Sequence, residues 1–241
     1  MRVTIHQPQY LPWLGYLDKI DQADLFVVLD SVQFKKNEWQ NRNRIRTAQG
    51  WQWLTVPVLH DFGQIIREVR INPSESWRDK HRRALEMHYR GAPYADRYLP
   101  GIQDILSQTW THLTPLNVVM LEWMMASFGI KTPITLASTM KLREEPTDRL
   151  VDICRTVGAS VYLAGAGATN YMDLERFTAS GITMEVQAFQ HPVYRQCYDP
   201  FVFGLSAVDL LFTWGDGALA YLRDARAGGA SAQSGSAREG A

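Results

Sequence analysis

Cysteine is scarce in this 241-residue chain: Cys154 and Cys197 are the only two, and neither sits in a CxxC pair. That excludes a disulfide framework and gives no zinc signature, so reduced thiols in a cytoplasmic protein are the expectation. Net charge is lacking as well, because 25 lysines and arginines balance 25 aspartates and glutamates. No global field draws the protein to nucleic acid or to an anionic membrane. Long apolar runs are missing too: the richest, Val118 to Phe128, is about half of the roughly 20 residues that span a bilayer, and Glu122 interrupts it. No integral membrane segment is expected. The first ten residues hold His6, Gln7 and Gln9 where a secretory signal needs an apolar stretch, so export by that route is not expected. Bulk is absent from Arg226 to Ala241, an alanine, glycine and serine run expected to be a disordered tail.

What is present is a fold signal. A β-branched run at Val3 to Ile5 leads through Pro8 and Pro12 to Trp13, Leu14, Leu17 and Ile20 at helical spacing, then to the continuous apolar run Leu25 to Leu29. Strand, helix and strand in about thirty residues make a βαβ unit. Asn41 to Arg46 and Trp51 to Val58 alternate with a two-residue period around Thr47-Ala48-Gln49-Gly50, which predicts an inserted β-hairpin; Ile65 to Ile71 reads as a further strand. From Ser74 the pattern turns helical, and residues 74–130 read as a helical subdomain. Short strands at Ile134 to Leu136, Val161 to Ala164 and Ile182 to Val186 then alternate with helices. The expectation is one α/β domain over residues 1–225, a mostly parallel, Rossmann-like sheet flanked by helices.

Three constellations carry candidate chemistry. His6-Gln7-Pro8-Gln9-Tyr10 stands at the carboxyl end of the first strand, where open parallel sheets bind ligands. A histidine there can serve as acid or base, and Asp30, ending the next strand, is placed to orient it or to meet a sugar hydroxyl. The second is Gln33 to Arg46, which holds Lys35, Lys36, Arg42, Arg44 and Arg46 against Glu38 alone. A strand would put the three arginines on one face, suited to phosphate, with Trp39 stacking nearby; the plain alternative is an edge strand charged against aggregation. The third is Gly165-Ala166-Gly167 after the strand Val161 to Ala164, a small-residue loop whose amides are candidates for an anion or a developing oxyanion, though GxGxxG is incomplete. Tyr10, Asn43, His191, Tyr194 and Gln196 are expected to complete the pocket, with His191 joining His6 and Asp30 as catalytic residues. Cys197 as a nucleophile lacks a supporting signature, and His81 with His88 reads as a packing face, so no metal is expected.

Taken together, IHQPQYLPWLGYLDKI at residues 5–20, LDSVQFKKNEWQNRNRI at 29–45, WLTVPV at 53–58, YLAGAGATNYM at 162–172, HPVYRQ at 191–196 and LSAVDLLFTWG at 205–215 resemble the WbqC-like family. The resemblance implies association with O-antigen and other surface-polysaccharide gene clusters. It also implies transfer of an amino acid such as glycine, or another acyl group, to a sugar; the arginine face suggests that this sugar is phosphorylated or nucleotide-linked, and no cofactor is assigned beyond a nucleotide or nucleotide-sugar. The layout further resembles HUP-type nucleotidyl and adenylyl transferases, although Pro12-Trp13-Leu14-Gly15 stands where their second histidine would be. An ATP-dependent ligase and a non-catalytic glycan or sugar-nucleotide binding partner are the alternatives. A homodimer is the commonest assembly for such a chain.

Overall fold

A computed structural model describes residues 1–74, 76–167 and 172–236, with side chains to Ala227. Its centre is a five-stranded, wholly parallel sheet. The strands are β1 (Arg2–His6), β2 (Leu25–Val28), β7 (Ile134–Leu136), β8 (Val161–Ala164) and β9 (Thr183–Val186), in spatial order β7-β2-β1-β8-β9. Counting these five alone, the order is 3-2-1-4-5, so the chain reverses its direction of winding between β1 and β8.

Both faces of the sheet are covered, which is why its strands read as continuous apolar runs rather than alternating ones. On one face α1 (Leu14–Asp21) packs Leu14, Leu17 and Ile20 against Phe26 and Val28. On the other, α5 (Pro146–Thr156) and α6 (Leu174–Ala179) pack Leu150, Val151, Ile153 and Phe177 against Val3, Ile5 and Val27. The expected mostly parallel α/β sheet with flanking helices is what the structure shows.

About a hundred residues separate β2 from β7. They open with the hairpin of β3 (Arg42–Thr47) and β4 (Gly50–Thr55), close to the expected bounds, where Gly50 turns the chain at a φ of 122° that side-chain-bearing residues rarely adopt. The strand expected over residues 65–71 is mostly a 3₁₀ turn, Ile66–Glu68; Ile65 makes a single bridge to Gln33, and β6 (Arg70–Ile71) pairs with β5 (Val58–Leu59). Helices α2 (Trp77–Tyr89), α3 (Ala95–Ser107) and α4 (Leu113–Phe128) follow. Leu85, Ile102, Leu116 and Met124 on them belong to the same continuous core as α1 and the hairpin's Ile45 and Leu54. Gly129, left-handed at φ 84°, closes α4.

Helices α7 (Val208–Trp214) and α8 (Ala218–Ser236) end the described chain. Here the expected tail needs correction at its start. Arg226 lies within α8 and its guanidinium reaches Asp18 Oδ1 at 2.7 Å and Asp21 Oδ2 at 2.8 Å, giving a counter-charge to two buried α1 carboxylates. Residues 237–241 lie outside the described ones. Among the described residues no helix is long and apolar enough to cross a membrane.

Candidate functional site

The carboxyl ends of β1 and β8 diverge at the reversal of winding, and two clefts open there. The smaller, about 320 Å³, is walled by Trp13, Tyr16 and Lys19 of the α1 region, by Gly165 to Gly167 after β8, and by Gln187 and Phe189 after β9. The larger, about 870 Å³, runs past Gln7, Ser31, Gln33 and Lys35 towards Glu144 and Arg149 at the start of α5. Among the described residues His6 is the one that borders both.

The last residue of β1, His6 has its ring fixed by two neighbours. Nδ1 lies 3.0 Å from the Gln7 carbonyl oxygen, which assigns the proton to Nδ1 and leaves Nε2 as an acceptor. The Tyr16 ring meets it edge-on at 4.9 Å. Burial, then the charge of Lys19, pull the imidazole pKa down to about 3 against a weaker opposing pull from the Gln7 carbonyl. His6 is therefore neutral across the physiological range. Gln7 is itself anchored, its carbonyl accepting from the Tyr16 hydroxyl at 3.0 Å and its side-chain oxygen from Gln40 at 2.7 Å.

Lys19 is the residue that reading the sequence missed. On α1 every residue from Leu14 to Ile20 is buried, so the helix has no solvated face for a lysine to occupy. Burial lowers its amine to about 7.

The remaining candidates separate from this centre. Asp30 follows β2 but turns towards β7: its carboxylate accepts from the Ser138 amide at 2.9 Å and the Ser138 hydroxyl at 2.7 Å, and it borders neither cleft. It ties two strand ends together. Tyr10 is wholly buried, its hydroxyl 2.9 Å from His81 Nδ1, while His81 Nε2 faces the Thr55 carbonyl at 3.1 Å. Asn43 donates to the Leu11 carbonyl at 2.7 Å, holding a loop in which Leu11 takes a φ of 46°.

The arginine face forms as the two-residue period requires, with Asn43 and Ile45 buried behind it, and each guanidinium has partners within the fold, although the three Nε atoms are buried without one. Arg46 is fully buried and gives one nitrogen to the Thr47 and Gly50 carbonyls and the other to those of Tyr198 and Pro200, at 2.5 to 2.7 Å. Arg42 lies 4.2 Å over the Trp53 ring and donates to the Asn37 carbonyl. Arg44 lies between Trp51 at 5.0 Å and Trp39 at 5.6 Å and donates to the Gly204 carbonyl. Neither these arginines, nor Trp39, nor the exposed Lys36 borders either cleft. His191 sits beyond them, its Nδ1 2.8 Å from the Pro192 carbonyl and its Nε2 accepting from the Gly204 amide, ringed by Phe189, Phe201 and Phe203. Tyr194 and Gln196 lie near buried Asp209 rather than near His6. Of the glycine loop, Gly165 borders the small cleft, but Asp173 caps α6 with its own carboxylate, accepting from the Glu175 and Arg176 amides. Residues 168–171 of that loop lie outside the described ones.

Among the described residues no group of three histidine, cysteine or acidic side chains is placed to hold a metal. The thiols are unactivated, since burial pushes Cys154 up to about 12 and Cys197 up to about 11.

A doubly covered parallel sheet with clefts where its winding reverses defines an α/β protein of Rossmann-like order. Within that class the chain belongs to the WbqC-like protein family, whose model matches residues 7–221. It is also similar to "Uncharacterized protein Rv1507c" of Mycobacterium tuberculosis (strain ATCC 25618 / H37Rv), with 36% identity over 231 residues, covering 93% of this chain and 99% of that protein. No solved structure matches.

Proposed function

We propose that this protein is a group transferase whose two substrates meet at His6. The observation that carries the reading is the position of that imidazole between two clefts of unequal size. One ring shared by two cavities is what a transfer needs: a donor on one side, an acceptor on the other, and a proton acceptor between them. The larger cleft has room for a phosphorylated or nucleotide-linked sugar, with Lys35 and Arg149 on its lining to meet phosphate; Lys36, Arg42 and Arg44 stand away from it. The smaller suits an acyl or aminoacyl group. Family membership supports a place in surface-polysaccharide (O-antigen) synthesis in the cytoplasm.

His6 then orients the attacking amine or hydroxyl of the sugar through Nε2 and takes its proton as the new bond to the acyl carbon forms; the bond from the acyl carbon to the donor's leaving group then breaks, and the leaving group departs with that electron pair and receives the proton from His6. With its pKa near 3, the ring is a weak base that acts only as the nucleophile becomes acidic in the transition state. Backbone amides of the Gly165 loop are the nearest candidates for the developing oxyanion.

A thermal-shift screen against nucleotide sugars, ATP, amino acids and aminoacyl donors, followed by mass spectrometry of each hit incubated with the protein, tests this. A covalently modified sugar is the expected product, and it should vanish with His6→Ala. Full activity of that variant on the identified substrate would sink the assignment. The 3-2-1-4-5 strand order favours a second reading, an ATP-dependent ligase or nucleotidyltransferase of HUP type, for which pyrophosphate release is the marker. Ligand stabilisation without turnover would instead mark a binding partner of a glycosyltransferase.

A further inference from the structure

Lys19 reaches the small cleft from α1 with only 3% of its surface exposed. Its ammonium has three N–H bonds to satisfy, yet its one hydrogen-bond partner among the described residues is the Ile5 carbonyl, at 3.4 Å. Among the described residues no carboxylate pairs with it. The adjacent Asp18 is taken by Gln187 at 2.6 Å and by Arg226 at 2.7 Å, and Glu185 of β9 is taken by Arg2 at 2.6 Å. A buried ammonium without a counter-charge is costly, and the site relieves that cost by giving up the proton.

We propose that the small cleft is an oxyanion site in which Lys19 supplies the positive charge, taking a carboxylate or phosphate oxygen of a substrate. This rests on the reading of the switch-point clefts as the substrate site. The surroundings favour an anion. Among the described residues none that borders this cleft is acidic, and the Gly165 to Gly167 loop brings no side-chain charge and leaves space beside both glycines. The titratable groups facing Lys19 among the described residues are His6 from β1, neutral at working pH, and Tyr16 from α1, whose hydroxyl is held un-ionised by burial and donates to the Gln7 carbonyl. Gln187, after β9, completes the polar lining without a charge.

Proton uptake follows from that arrangement. Free Lys19 is half protonated near neutral pH, and a bound oxyanion holds it fully protonated. Binding therefore takes up about half a proton near pH 7 and weakens about tenfold for each pH unit above that.

The test titrates inorganic phosphate, and separately acetate, into the full chain carrying ¹³C-labelled lysine, following the Lys19 ε-methylene signal by NMR across pH. The expected result is a free midpoint near 7 that moves up by a unit or more with one of the two anions; which anion does so distinguishes phosphate from carboxylate substrates. Lys19→Met, which keeps the buried stem, should abolish binding. Lys19→Arg should retain it and remove its pH dependence between pH 6 and 8. A Lys19 midpoint above 9, a midpoint unmoved by both anions, or binding undiminished in Lys19→Met would each overturn the proposal. A shifted midpoint with no product in the donor screen keeps the oxyanion site and removes the transferase reading; product without a shift does the reverse.

Discussion

Acidification should destabilise this fold through two histidines that are buried neutral, and His81 isolates the effect because it lies outside the clefts. Its Nε2 donates to the Thr55 carbonyl and its Nδ1 accepts from the Tyr10 hydroxyl, so both nitrogens are satisfied only in the neutral ring. Burial lowers its pKa from 6.5 to about 4. The unfolded chain thus binds a proton that the folded one refuses, and stability is full above about pH 6.5 and lost as pH falls towards 4. At about pH 4.5 the deficit from His81 is two units, or about 3 kcal/mol. His6, lowered to about 3, adds a deficit of the same sign, reduced because its ring is only partly buried and the clefts admit solvent. Asp209 opposes both. Fully buried, with Tyr89 donating to Oδ1 at 2.9 Å and no donor on Oδ2, it is raised by burial to about 6; its acid form is favoured in the fold, so it returns about 2 kcal/mol as pH falls to about 4.5. These three groups together give a loss of about 2 to 3 kcal/mol between pH 7 and about 4.5. Urea unfolding at the two pH values measures it. In His81→Gln the loss should shrink to about 1 kcal/mol or less, whatever that variant's stability at pH 7. Equal losses in the variant and the parent would show that His81 is charged in the native state and refute the reasoning.

In Asp209→Asn the same acid-induced loss should grow by about 2 kcal/mol, since the compensating group is gone; an unchanged loss would mean that the carboxylate ionises normally. Arg46→Met should cost about 3 to 5 kcal/mol by denaturant unfolding and raise protease cleavage near residues 198–204, because four carbonyls lose their donor; Arg46→Lys should recover little, one ammonium being unable to span both pairs. A Cβ at Gly15 would run into the Trp13 ring, so Gly15→Ala should destabilise by about 1 to 3 kcal/mol and displace the tryptophan wall of the small cleft. Its tryptophan fluorescence should shift at unchanged far-UV circular dichroism, and an unmoved spectrum would count against that wall. With iodoacetamide near neutral pH both thiols should react slowly, partly exposed Cys197 before buried Cys154.

The sheet was legible because its signal is local. Val3 to Ile5, the Trp13 to Ile20 spacing and Leu25 to Leu29 each specify an element within a few residues, and the parallel pairing of β1 with β2 follows from the helix between them. His6 was legible for the same reason, as the polar residue that ends the first strand. The arginine face was legible as a face but its partners were not. A two-residue period reports which side a residue takes but not what waits there, and two of the four carbonyls on Arg46 come from Tyr198 and Pro200, about 150 residues along the chain. Asp30 is similar: its position after β2 was legible, but its partner Ser138 arrives only with β7.

Lys19 shows why the site itself could not be read from spacing. In the sequence it stands between Asp18 and Ile20, followed by Asp21, and so reads as part of a solvated helix face. Two distant segments reverse that. The stretch after β9 brings Gln187 onto Asp18 and onto the Gly15 carbonyl, and α8 brings Arg226 onto Asp18 and Asp21 and Arg223 onto Asp21. Both acids that would have paired with Lys19 are thereby neutralised by other donors, and the lysine is left buried with an unmatched charge beside His6. The hydrophobic pattern of α1 fixes where that amine sits. Its chemistry is set by the removal of its counter-ions, and that requires the whole chain to be folded.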